Sequence, residues 1–143
     1  MATFNKFQDF SEQLARGTQN FASDTYKVAL TNVAPVATNT AFANITEISA
    51  GNGYTAGGTA TTISISETTG TTTVSGTQVV FTASGGTMAT FQYVVLYNDT
   101  TTTPVNKPLV GWWDYGSPVS LADTETFTVK FSNTSPGAIF TLA

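Results

Sequence analysis

The sequence predicts a mainly β protein: an antiparallel β-sandwich or jelly-roll-like domain carrying one N-terminal amphipathic helix. Three observations lead there. Threonine supplies most of the polarity while only 10% of residues are charged, against about 25% in an average globular chain, and its branched Cβ suits a pleated sheet. Beyond residue 24 the apolar pattern alternates with period two instead of recurring every three or four residues. The alternating runs are short and bounded by Gly, Pro, Asn or Asp, at the spacing of a sandwich or barrel. At 143 residues the chain suits one domain over 1–143, with a helix at 3–16 and a β-sandwich over 24–143. A chain of this size buries roughly 68–70% of its unfolded surface.

The helix is read from TFNKFQDFSEQLAR. Phe4, Phe7, Phe10 and Leu14 recur at three and four, leaving Lys6, Asp9, Glu12 and Arg16 outside the stripe. Glu12 and Arg16 stand four apart in the favourable order, and Gly17 occupies a C-cap position. Such a helix either covers a sheet of its own chain or docks on a neighbouring subunit. TYKVALT then reads as a half-buried strand with Tyr26, Val28 and Leu30 inward. TNVAPVATNTAFANI is a long connection anchored at Phe42 and Ile45.

GNGYTAGG precedes TATTISISETT, in which isoleucines alternate with serines. The glycine spacing does not fit a dinucleotide fingerprint and no helix follows, so it reads as a compact turn using positive φ. TQVVFTA and TFQYVVLYND come next. In the latter, Phe91, Tyr93, Val95 and Tyr97 share one face and Val94 and Leu96 the other, so both sides are expected to be covered. DTTTTPVNKP is a polar hairpin connection, and PLVGWWDY, ETFTVKF and AIFTLA complete about seven or eight strands.

Several functions lose their chemistry at this level. The formal charge is −4 and the five Lys and Arg are scattered singly, which leaves nothing to neutralise a phosphate backbone. The chain has neither cysteine nor histidine, which removes thiolate chemistry and the commonest general base and metal ligand. No apolar run approaches the roughly 20 residues that span a bilayer, and no basic, then apolar leader is visible. No nucleic acid, membrane, metal or cofactor is expected. Asp99, Asp114, Asp123 and Glu125 could serve a two-carboxylate hydrolase, but Asp99 and Asp123 stand in turn-like contexts that explain them better. No catalytic residue is assigned.

The sharpest motif is GWWDYG, residues 111–116. Strand alternation places Trp112 and Asp114 on one side and Trp113 and Tyr115 on the other, unless a bulge intervenes. One tryptophan then belongs to the core, aligned with Leu109, and its neighbour lies under the N-terminal helix or faces a partner.

MATFNKFQDF, DTYKVALTNVAPVATNTAF, ITEISAGNGYTAGG, VVFTASGG, FQYVVLYND, LVGWWDYGSPVSLADTETFTV and FTLA, in this order, resemble small virion-associated proteins of tailed bacteriophages of the head decoration, or cement, type. The resemblance covers nearly the whole chain, departing from it in the threonine-rich loop after Asp99 and in SNTSPGAIF. It implies a β-sandwich or jelly-roll-like protein, made in the host cytoplasm and bound as homotrimers to the major capsid protein on the outside of the virion. It implies no catalytic, metal or cofactor residue. Phe4, Phe7 and Phe10, if not internal, and Trp112, Asp114 and Tyr115 are the expected partner contacts. The competing expectation is a tail or fibre-associated module that binds host glycans through Trp112, Asp114 and Tyr54.

Overall fold

A computed structural model describes residues 2–143. The protein is mainly β, with antiparallel pairing throughout. Its strands are β1 (Asn5–Lys6), β2 (Tyr26–Thr31), β3 (Thr59–Thr61), β4 (Ile63–Thr68), β5 (Thr71–Gly76), β6 (Val79–Thr82), β7 (Phe91–Asn98), β8 (Leu109–Val119), β9 (Thr126–Val129) and β10 (Gly137–Leu142), with a short α-helix α1 (Phe10–Ala15) and a 3-10 turn at Phe42–Asn44. They form a five-stranded sheet in the order β1-β8-β7-β2-β3, a three-stranded sheet β10-β5-β4, and the pair β6-β9. One core cluster draws Val28, Leu30, Leu96 and Val110 from the large sheet, Val74 and Ile139 from the three-stranded sheet, and Val79, Phe81 and Val129 from the pair.

The helix expected over 3–16 is confined to Phe10–Ala15. Residues 5 and 6 pair instead with Trp112 and Gly111, and the Phe7 amide continues the ladder to the Val110 carbonyl at 3.2 Å. The phenylalanines therefore do not share one stripe. Phe4 points into the main core against Trp113 and Phe140, Phe7 into a second cluster across the sheet, and Phe10 back into the main core against Phe21 and Phe140. Fully burying a phenylalanine is worth roughly 1.5–3 kcal/mol, against the ~0.7 kcal/mol or less that separates ordinary residues in helix propensity, so burying Phe7 and Phe10 in separate cores, with Phe4 partly covered, outweighs a regular helix. The C-terminal features hold: Arg16 grips Glu12 through Nε at 2.8 Å, and Gly17 closes the helix at φ +76°.

The second cluster sits on the outer face of the large sheet. Phe7, Ala29, Val95, Tyr97 and Leu109 are buried there, roofed by Phe42, Ile45 and Trp112. Phe42 stacks on Tyr97 with ring centres 4.0 Å apart. Both faces of β7 are thus covered, as its double apolar pattern requires. Phe91 is the exception to the expected parity, since it joins the main core with Val94 and Leu96. The ladder is irregular at this point, with a register shift between Phe91 and Tyr93 opposite Tyr115–Pro118 of β8.

TATTISISETT divides at Thr62. β3 stays with β2 in the large sheet, and β4 crosses to the three-stranded sheet. The hairpin partner of β4, β5, was not anticipated in the sequence. Its signal is the Thr69-Gly70 pair, both at positive φ (51° and 84°), the two-residue turn that matches strand twist. Asn52 and Gly53 make the same kind of turn (φ 52° and 97°), closed by reciprocal bonds between Gly51 and Tyr54. The glycine-rich stretch is thereby a packed turn: a Cβ on Gly53 would lie 2.0 Å from the Thr82 carbonyl oxygen, and one on Gly58 1.9 Å from that of Val28.

Three tyrosines tie these parts together. The Tyr54 hydroxyl donates to Glu47 Oε1 at 2.7 Å and accepts from the Leu30 amide at 3.1 Å; the Tyr97 hydroxyl donates to the Gly57 carbonyl at 2.6 Å. The Tyr26 hydroxyl donates to Gln19 and accepts from Asn98, which also caps the turn at Thr100 and Thr101. Beside them Asp99 bridges Lys27 at 3.0 Å and Lys107 at 2.9 Å. Burial raises the Asp99 carboxyl, and the two ammonium groups together outweigh it, holding it below the usual carboxylate range. Burial pushes all three phenols up, helped at Tyr26 by Asp24, at Tyr54 by the bond to Glu47 and at Tyr97 by Asp99 and Glu47. Their folded pKa values lie above the unfolded one, so the stability linked to them is whole below about pH 10 and is lost as pH rises beyond it. In an alkaline titration, tyrosinate absorbance from these three is expected to rise in one step with loss of β-sheet circular dichroism. Ionisation of Tyr26, Tyr54 and Tyr97 well before unfolding would overturn this.

Candidate interaction surface

The GWWDYG motif lies along β8, where its geometry is set by a bulge one residue upstream. Gly111 faces Leu96 and Leu109 faces Tyr97, so Val110 is the extra residue. The bulge shifts parity at Val110 and leaves Trp112 to Asp114 alternating opposite Val95 to Tyr93. Trp113 is the core tryptophan: its ring lies 5.3 Å from both Phe4 and Phe131. It is aligned with Val110, whereas Leu109 joins Trp112 on the outer face. Gly111 makes room for this arrangement, since a Cβ there would come within 2.2 Å of the Phe4 ring.

Trp112 is half-buried, its ring 4.5 Å from that of Phe7. It lies against the N-terminal segment, through residue 7 of the extended part and not through α1. Asp114 is exposed, and its Oδ1 accepts from the Gln92 side chain at 2.9 Å and from the Gly116 amide at 2.7 Å. The carboxylate thus steadies the bend where Gly116 adopts φ +96°. Phe7 and Phe10 are internal, 0% and 3% exposed, and leave the set of partner contacts. Tyr54 is buried in the main core, so it does not converge with Trp112 and Asp114.

What the motif does present is Tyr115, 56% exposed and edge-on to Phe127 at 5.3 Å. Below it opens an apolar crevice of about 230 Å³, walled by Val94, Trp113, Tyr115, Phe127 and Val129, with Ala2 and Lys130 among its lining residues. Among the described residues β9 has no neighbour on the side away from β6, and β1 pairs with β8 only at Gly111 and Trp112. The crevice therefore joins two strands whose ladders are incomplete. Phe127 and Lys130 were not singled out in the sequence; the alternation of ETFTVKF places Phe127, Val129 and Phe131 on one face, but not which strand they meet.

Among the described residues no group of three or more His, Cys, Asp or Glu could hold a metal ion, and no helix is long and apolar enough to cross a membrane. No protein family, curated protein or solved structure matches the chain.

Proposed function

We propose that the chain is a non-enzymatic virion structural protein that decorates a tailed-phage capsid. In this reading it is made in the host cytoplasm, binds the major capsid protein on the outer surface as a homotrimer, and bridges neighbouring subunits against the pressure of packaged DNA. The architecture it uses is a two-layer sandwich, with the three-stranded sheet and the β6-β9 pair packed on the large sheet. The sharing of one core by all three supports that layering.

The observation that carries the proposal is the crevice beside Tyr115. An exposed aromatic over an apolar slot, next to strands with free ladder positions, suits an apolar extended segment of another protein, with main-chain bonds for affinity and pockets for side chains. The resemblance of the seven quoted segments to decoration proteins supplies the partner's identity. A trimer converts later contacts into intramolecular ones, so each crevice can bind modestly while the lattice holds firmly. The glycan-binding alternative loses one of its three residues, because Tyr54 is buried in the main core, away from the outer face that carries Trp112 and Asp114.

Truncating a central aromatic of an interface costs about 2 kcal/mol or more, roughly thirtyfold in affinity. Tyr115→Ala is therefore expected to weaken binding to capsids at least that much in a pelleting assay, while changing folding stability by about 1 kcal/mol or less. Particles lacking the protein are expected to release DNA at a lower temperature than complete ones. Unchanged binding by the variant would remove the crevice from the proposal. Equal heat resistance of the two kinds of particle would remove the stabilising role.

A further inference from the structure

We infer that the free edge of β4 is a self-complementary contact through which two copies of this chain join their three-stranded sheets across a two-fold axis. β4 pairs with β5 on one side and, among the described residues, with no strand on the other. The hairpin fixes which of its backbone groups are spent. Thr68 and Thr71 flank the two-residue turn, and at the other end the Thr77 amide donates to the Thr62 carbonyl at 3.0 Å. Residues 62, 64, 66 and 68 therefore face β5, and the amides and carbonyls of Ile63, Ile65 and Glu67 point outward.

That outward pattern is centred on Ile65. Laid antiparallel on a second copy with Ile65 opposite Ile65, each Ile63 faces the other copy's Glu67, and every outward donor meets an acceptor. The two glutamates do not oppose each other. Each carboxylate is already held at its own turn, accepting from the Gly70 amide at 2.6 Å. No Lys or Arg occurs between Lys27 and Lys107, and β4 holds no proline, so two of the devices that commonly blunt a free edge are missing, and its one charge, Glu67, is turned to its own hairpin.

The side chains agree with the backbone. Ile65 is 48% exposed, yet it lies across from Val74, which lies across from Phe140. Pairing at Ile65 would extend that apolar row unbroken through both copies, Phe140–Val74–Ile65 meeting its own image. It would also close one side of the groove of about 320 Å³ that Ile65 shares with Leu14, Phe21 and Leu142. A C2 contact uses the same patch twice. The inference goes beyond the decoration reading and does not rest on it.

The chain has no cysteine, so single-cysteine variants report the register. An opposed hydrogen-bonded pair has Cα atoms about 5.5 Å apart, within disulfide reach, while two residues at 67 would lie roughly 14 Å apart from the strand rise. Under mild oxidation at high protein concentration, Ile65→Cys is expected to form a covalent dimer and Glu67→Cys at least tenfold less of it. In sedimentation equilibrium the wild-type chain is expected to self-associate, and Ile65→Lys to do so at least tenfold more weakly with its circular dichroism spectrum unchanged. Equal cross-linking at the two positions, or self-association unaffected by Ile65→Lys, would overturn the inference. So would a wild-type chain that stays strictly monomeric at high concentration. None of these outcomes depends on whether capsids are bound.

Discussion

Gly58→Ala is expected to lower stability by about 2–5 kcal/mol, enough to threaten folding in a domain of this size. Gly58 sits at φ +76°, where an L side chain costs roughly 1–2 kcal/mol. Its Cβ would also stand 1.9 Å from the Val28 carbonyl oxygen and 2.9 Å from the Ala29 Cα. Those are backbone atoms of a central strand, so neither neighbour can rotate away, and overpacking of this kind adds typically about 1–3 kcal/mol. The contact exists because the chain turns into β3 directly over β2, and only a residue without a Cβ permits the approach. Gly70→Ala supplies the comparison. Its φ of +84° is as unfavourable, but nothing lies within 4 Å of the added carbon. Thermal denaturation of the two variants should separate conformational strain, present in both, from the clash confined to residue 58. Equal losses would show that the approach to β2 relaxes at little cost.

Phe7→Ala is expected to cost about 3–5 kcal/mol, the range for truncating a buried aromatic. The ring is 0% exposed and packs among Ala29, Val95, Tyr97 and Leu109, with Trp112 as its roof. Removing it leaves a void beneath a tryptophan that, among the described residues, has no other aromatic neighbour at stacking distance. The Trp112 emission should shift to the red as water enters, while Trp113, clamped between Phe4 and Phe131 in the other cluster, contributes an unchanged component. Repeating the measurement in a Trp112→Phe background assigns the shift. A loss below about 1 kcal/mol would mean that the outer cluster is mere cover and not a second core.

The parts of this fold that were legible in the sequence are those whose cause is local. Alternation gave the inward face of β2 and the faces of Trp112 to Tyr115, although β2, expected half-buried, is buried on both sides through Ala29 and Thr31; the glycine pattern of GNGYTAGG announced a turn because positive φ is a property of single residues. The double apolar pattern of β7 correctly required cover on both sides. The parts that were not legible depend on distant partners. Phe4, Phe7 and Phe10 fit a helical stripe and an extended segment equally at spacings of three, and only the presence of two cores decides between them. Phe91 changes face where the ladder to β8 loses its regular register, and Leu109 parts from Trp113 because Val110 is inserted into the ladder. The same holds for the crevice: Tyr115 was named as a partner contact on the side of Trp113, but Phe127 reaches it from a strand in another sheet. The break at Thr62, where one run of alternating residues serves two sheets, leaves no mark in the period at all.

The large sheet, covered on one side by the main core and on the other by Phe7, Phe42 and Trp112, has a kinetic counterpart. Its inner strands β2 and β7 have neighbours on both edges as well as cover on both faces. Solvent reaches their amides neither by fraying from an edge nor by lifting one layer. Their deuterium exchange should therefore wait for global unfolding, whereas β4, β9 and β10 exchange through smaller openings. The molecule then has a slow spine and quick margins, and the margins are the strands left with hydrogen bonds to offer.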